Sequence, residues 1–393
     1  MGKTRPPERA KLANGAKRKK QNAERSKNPI PPDQLLAQAT AFLQTSEPEA
    51  ALQSAVKALK ILRSKSEAVR QLPALSLLGE INVELGEIEA AREYFKQAAE
   101  IDEHGEMPEV QGGGAEKFLW LAQLSEEGGL DSVRWFEKGA EVLRSQIQSL
   151  LARDEDADAE PLLEEKRMKL ANALCSITEV YMTDLSWDDE KAEEQCDKAM
   201  EEALSVAPDS AETLQTAASV RISQSKRGEA QRYLNKSLEL WKDLDPEDAR
   251  VPDFPTRISL SRLLMEAEME DEAIQVLERL VAEDDSSVEA WYLGGWCLQL
   301  LADKQRVQAN GDADDVADAL TELLRRSRRW LQQSLNLYQQ IDYEDERLQE
   351  HALELVQSLT QILGEPDALE EEAAADEDDW EDDEDSEDEE MEE

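Results

Sequence analysis

Apolar positions in Leu72–Glu103 recur every three or four residues, with one interruption. Leu75, Leu78, Gly79, Ile81 and Leu85 mark one face, and Ala91, Phe95 and Ala98 mark a second. A period near 3.6 predicts two amphipathic helices, and Gly86 between them predicts a short turn. Small residues at Gly79, Ala91 and Ala98 allow two helices to approach closely, and Phe95 fills the gap between them.

That spacing is the one found in a tetratricopeptide repeat. A single such hairpin cannot bury its own apolar face, so neighbours of the same kind are required. The pattern recurs along the chain. Leu35, Ala39 and Phe42 precede Ala51, Ala55 and Ala58, with Asp33 expected as an N-cap. After a loop at His104–Gly114, Trp120–Ala122 lead to a Gly128-Gly129 turn. A second helix follows through Trp135, Phe136 and Gly139 to about Ala152. Residues 153–161 read as a polar break. A fourth hairpin runs from Leu162 through Tyr181, turns at Asp184–Asp189, continues through Ala192, Cys196 and Ala199, and closes at Pro208. The fifth carries Leu214, Ala217, Ala230, Leu234 and Ser237. Pro246, Pro252 and Pro255 read as a stiff connection to the sixth, which carries Leu260, Leu264, Ala273, Leu277 and Leu280. The seventh begins with Trp291, Gly294, Gly295 and Leu298. Its turn is expected to be expanded by residues 304–324, with its second helix resuming at Ser327.

A last amphipathic segment, Glu344–Leu363, places Leu348, Leu353, Val356, Leu359 and Leu363 on one face and suits a terminal cap. The expectation is an all-α, right-handed superhelical solenoid of about seven tetratricopeptide-type helix pairs plus a capping helix. It occupies residues 32–364, and an irregular all-α bundle is the alternative.

Charge adds two flanking segments. Residues 1–31 read as a disordered basic arm, with ten Lys or Arg against Glu8 and Glu24 by residue 28. The run Lys17, Arg18, Lys19 and Lys20 is a nuclear-localisation candidate, or else a generic solvated tail. Residues 365–393 hold twenty acidic residues in twenty-nine and read as a disordered acidic tail. The net charge of −46 argues against stable nucleic-acid binding and against anionic membranes, and it favours a cationic partner. Solubility alone is the plainer reading of that charge. No apolar run approaches membrane-spanning length, and no signal peptide is visible.

Catalysis is not expected. His104 and His351 are far apart in sequence, and no phosphate-cradling loop, nucleophile elbow or zinc-helix motif occurs. Cys175, Cys196 and Cys297 fall in helical patterns without CxxC spacing, as buried reduced thiols do. No cofactor or metal is implied. The first helix of each hairpin is expected to line a groove containing Glu80, Glu84, Glu116, Trp120, Glu126, Glu179, Glu266, Glu289, Tyr292 and Trp296. Such a groove, acidic with aromatic pads, suits an extended Lys- and Arg-rich peptide. Each glutamate is otherwise a solvated surface charge, and Trp120 and Trp296 are otherwise core.

The whole layout resembles a known family. MGKTRPPERAKLANGAKRKK, LGEINVELGEIEAAREYF, VEAWYLGGWCLQL and the tail EDDEDSEDEEMEE are together similar to the fungal assembly chaperones dedicated to large-subunit ribosomal protein four. The resemblance implies a monomeric chaperone that captures this newly made basic protein and shields its long internal RNA-binding loop. It also implies escort from cytoplasm to nucleus, with Lys17–Lys20 offered to an import receptor, and release into the large-subunit precursor. Two other readings stand beside it: an acidic chaperone of another basic client such as histones, and a general tetratricopeptide scaffold. The scaffold reading would need a Lys, Arg and Asn clamp where the expected groove is acidic.

Overall fold

The computed structural model describes residues 30–64, 68–152, 159–185, 191–308 and 313–365. Lys17–Lys20, nearly all of the basic arm, and the tail beyond Glu365 lie outside the described residues. Fifteen α-helices are present among the described residues, and they fall into two compact units, residues 1–199 and 200–393.

The first unit contains α1 (Pro32–Gln44), α2 (Pro48–Ser64), α3 (Leu72–Glu84), α4 (Ile88–Ile101), α5 (Glu116–Gln123), α6 (Gly129–Leu151) and α7 (Ala159–Thr183). The division falls within α8 (Ala192–Val206). The second unit continues with α9 (Ala211–Ser223), α10 (Arg227–Glu239), α11 (Phe254–Glu266) and α12 (Glu270–Glu283). It ends with α13 (Val288–Gln308), α14 (Ala313–Gln340) and α15 (Glu346–Leu363). The fold is therefore all-helical and built of tetratricopeptide-type pairs, as the periodicity predicts.

Packing follows the expected register. The small residue expected in each second helix is buried in all seven pairs: Ala51, Ala91, Ser132, Ala192, Ala230 and Ala273 near the helix start, and Ser327 in the middle of the lengthened α14. Where serine replaces alanine, its hydroxyl is satisfied by the paired helix. Ser132 Oγ donates to the Ala122 carbonyl at 2.9 Å, and Ser327 Oγ to the Gly295 carbonyl at 2.7 Å. A buried hydroxyl without such an acceptor would be destabilising.

The turn within a pair is also repeated. Five residues before the small residue, Ser46, Gly86, Ser225 and Glu268 each adopt a left-handed backbone, with φ of 57°, 73°, 59° and 60°. The following amide closes the first helix each time, as in Glu87 N to Asn82 O at 2.8 Å and Lys226 N to Arg221 O at 2.8 Å. This closure satisfies a carbonyl that the helix end leaves open. Gly112, within the 102–114 loop, is under a different constraint, since a Cβ there would lie 2.6 Å from the Leu72 backbone.

Five local expectations are corrected. Asp33 lies in the first turn of α1 and caps nothing; Pro31 occupies the N-cap position. Helix α7 begins at Ala159, so Pro161 sits in its first turn, where a missing N–H costs nothing. Pro255 likewise opens α11, whose cap is Asp253, accepting from Thr256 N at 2.9 Å. Residues 304–324 are largely not an expanded turn. They lengthen α13 to 21 residues and α14 to 28, leaving residues 309–312 outside the described part. Leu353 is exposed, and Ala352 takes the inward position on α15.

The three cysteines are buried, and no disulfide joins them. Burial pushes the Cys196 thiol up to about 11 and the Cys297 thiol up to about 12, so neither carries thiolate near neutral pH. Among the described residues, no helix is long and apolar enough to cross a membrane.

Candidate functional site

In the first unit, α3, α5 and α7 carry the expected groove residues except Glu126, which falls in the turn between α5 and α6. Phe95, inward on α4, stacks on Trp120 of α5 with ring centroids 5.9 Å apart and planes within 8°. Trp120 is thus half-buried and fixed by the repeat core. Trp120, Glu116 and Lys169 line a small cavity of about 220 Å³. Burial raises the Glu80 carboxyl above its ordinary range, and the charge of Glu116 adds to that rise. The structure therefore brings Glu80, Glu116 and Trp120 together. Glu84 is exposed at the end of α3. Glu179 on α7 is raised by desolvation too, although its side chain stays open to solvent.

In the second unit, Glu266, Tyr292 and Trp296 line a cavity of about 520 Å³ between α11, α13 and the start of α15. Tyr292 and Trp296 lie 6.0 Å apart, one helical turn from each other on α13. His351 of α15 braces both rings. Its Nδ1 shares a 2.6 Å hydrogen bond with the Tyr292 hydroxyl, and its ring meets Trp296 edge-on at 5.1 Å.

Three of the expected carboxylates are already engaged. Glu116 is paired with Lys169, which also holds Glu165 at 3.1 Å. Glu126 accepts from Arg92 Nη1 at 2.9 Å, while Arg92 Nε donates to the Leu124 carbonyl. Glu289 is paired with Arg262. Glu80, Glu84, Glu179 and Glu266 have no ion-pair partner among the described residues. Neither site is thus uniformly acidic: Lys169 shares the first unit's cavity with Glu116, and Arg262 and Arg347 share the second unit's with Glu266.

Spacing carried part of that missing information. Arg262 stands four residues before Glu266, so whatever faces one faces the other. Lys169 had no such signal, because α7 matches the repeat pattern poorly. Asp345 and His351 belong to the capping helix, outside the repeated hairpins. Asp345 caps α15, accepting from the amides of Arg347 and Leu348 at 3.1 Å each. Among the described residues, no group of three or more His, Cys, Asp or Glu is placed to hold a metal. What the faces offer is unpaired carboxylate beside fixed aromatic rings, suited to binding rather than to bond making.

Comparison with known proteins agrees. Residues 72–104 match the tetratricopeptide repeat family. A protein of Emericella nidulans described as a probable assembly chaperone of rpl4 is 52% identical over 337 residues, 85% of this chain and 82% of that protein. A Schizosaccharomyces pombe protein with the same description is 36% identical over 304 residues, 77% of this chain and 84% of that one. A solved structure named Assembly Chaperone of RpL4 (Acl4), residues 1–338, superposes with a TM-score of 0.66 at 50% identity. It covers 72% of this chain and 100% of its own. These relatives are chaperones, not enzymes. The chain belongs to the rpl4 assembly-chaperone family, built on tetratricopeptide-type repeats.

Proposed function

We propose that this chain is a dedicated chaperone of newly made ribosomal protein L4, and that its first-helix faces hold a basic segment of that client. The observation carrying this reading is carboxylate without an ion-pair partner among the described residues close to fixed aromatic rings: Glu80 beside Glu116, which lines a cavity with Trp120, and Glu266 in one cavity with Tyr292 and Trp296. Charge-assisted hydrogen bonds to Lys and Arg and stacking on guanidinium planes are the chemistry of such a surface. Each exposed pair contributes only about 0–1 kcal/mol, so affinity comes from many contacts.

The client segment is the long, RNA-binding internal loop, which the chaperone keeps from binding RNA or aggregating. Ribosomal RNA, with its denser charge, competes for the same cations and drives release into the large-subunit precursor. Lys17–Lys20 serve nuclear entry of the pair by way of an import receptor. The chaperone acts as a monomer in cytoplasm and nucleus.

Affinity purification of the full chain followed by mass spectrometry tests this. Recovery of L4 in near-equal amount supports it. Recovery of histones, or of heat-shock chaperones with acidic carboxyl-terminal motifs, in place of L4 overturns it.

A further inference from the structure

The cavity of the second unit is built differently from a surface that only collects cations. Met265 of α11, Leu293 and Leu300 of α13 and Leu348 of α15 form apolar walls beside the Trp296 ring. Leu293 and Leu348 are buried in the core, and His351 holds Tyr292 and Trp296 in place from behind. The site is therefore pre-formed, and its volume of about 520 Å³ falls among those of ligand pockets, roughly 300–1,000 Å³. Preorganisation of this kind lowers the cost of binding.

The charges at its mouth are not equivalent. Arg262 is held by Glu289, and the Asp345 carboxylate is used in capping α15. Glu266 and Arg347 line the same cavity with no ion-pair partner among the described residues. One carboxylate and one guanidinium at the rim of an apolar hollow match a peptide, with a cation for Glu266 and a main-chain carbonyl for Arg347. A strand of cations alone would leave the apolar walls wet.

Resting on the reading that this face holds the client, we propose that the cavity between α11, α13 and α15 is an anchor site for one large apolar side chain of the bound segment. The side chain is leucine, methionine or aromatic, and it neighbours a lysine or arginine taken by Glu266. The client is then recognised by an apolar residue in a fixed register, with the surrounding cations adding affinity and speed of encounter.

The variant Leu300→Glu separates this from a purely electrostatic face, because the two predict opposite signs. Added negative charge strengthens the hold on a cationic segment, whereas a carboxylate in the anchor cavity expels an apolar side chain. Calorimetric titration of full-length chaperone with purified L4 is expected to show Leu300→Glu binding at least tenfold more weakly than the native chain, with Leu300→Met unchanged. Equal or tighter binding by Leu300→Glu overturns the anchor while leaving the parent reading intact. A native chain that does not bind L4 overturns the parent reading, and the anchor with it. Should Leu300→Glu melt well below the native chain, Leu300→Gln decides in its place: weaker binding supports the anchor and unchanged binding refutes it.

Discussion

A Cβ placed on Gly79 would lie 2.4 Å from Cζ of Phe95, and the same Phe95 ring stacks on Trp120. Core packing in one hairpin thereby sets the position of a ring on the surface of the next. Gly79→Ala is expected to destabilise the chain by about 1–3 kcal/mol through overpacking, despite a helix-propensity gain of about 1 kcal/mol. Thermal melting checks the loss. A neutral or raised melting temperature would mean that Phe95 has room to move.

The repeat register of this region was legible because small and aromatic residues at fixed spacing have few other uses. Ala91, Phe95 and Ala98 are all buried as expected, and so are Ala230, Leu234 and Ser237. The lengthening of α13 and α14 was not legible. Acidic residues suit a turn and a helix start alike, so an Asp-rich stretch does not tell them apart. The ion pairs of Glu116 and Glu289 were hidden for another reason. Lys169 and Arg262 stand 53 and 27 residues away, and only helix packing brings them near. Which carboxylates remain open is thus a property of the stack, not of the pattern.

Ser225 takes a left-handed conformation with φ of 59° at the turn where the second repeat uses Gly86. Non-glycine residues are strained there, while glycine adds freedom to the unfolded chain. The first effect is the larger, so Ser225→Gly is expected to stabilise by up to about 1 kcal/mol. Chemical denaturation reads this directly, and a lower midpoint would contradict it.

Two carboxylates give opposite pH signatures. Glu283 is held low, first by its hydrogen bonds to Arg257, at 2.6 Å from each terminal nitrogen. Its contribution is present above the unfolded value near 4.5 and is lost as pH falls through its folded value. Glu80 is held high by burial, then by Glu116. The folded chain therefore binds more protons at Glu80 than the unfolded chain does, so this group's term falls as pH rises through the interval above 4.5. Glu283→Gln should flatten the acid limb of a stability-versus-pH curve. Glu80→Gln should be more stable than the native chain near neutral pH, with the gap closing below 4.5. Parallel curves for native chain and Glu80→Gln would contradict the assignment.

Because a bound cation favours ionised Glu80, client binding at mildly acidic pH should release protons. Calorimetry in buffers of different ionisation enthalpy detects that release, and Glu80→Gln should reduce it. An unchanged release in the variant would place the client elsewhere.

Client affinity depends on where its cations are held. Biosensor affinities for L4 should be compared among the native chain, a Glu80→Lys/Glu84→Lys/Glu266→Lys triple variant and a chain ending at Glu365. At about 1 kcal/mol for each reversed contact, the triple variant should bind roughly a hundredfold more weakly, and the shortened chain less than tenfold. Loss of binding on removing the tail, with the triple variant unchanged, would contradict the account.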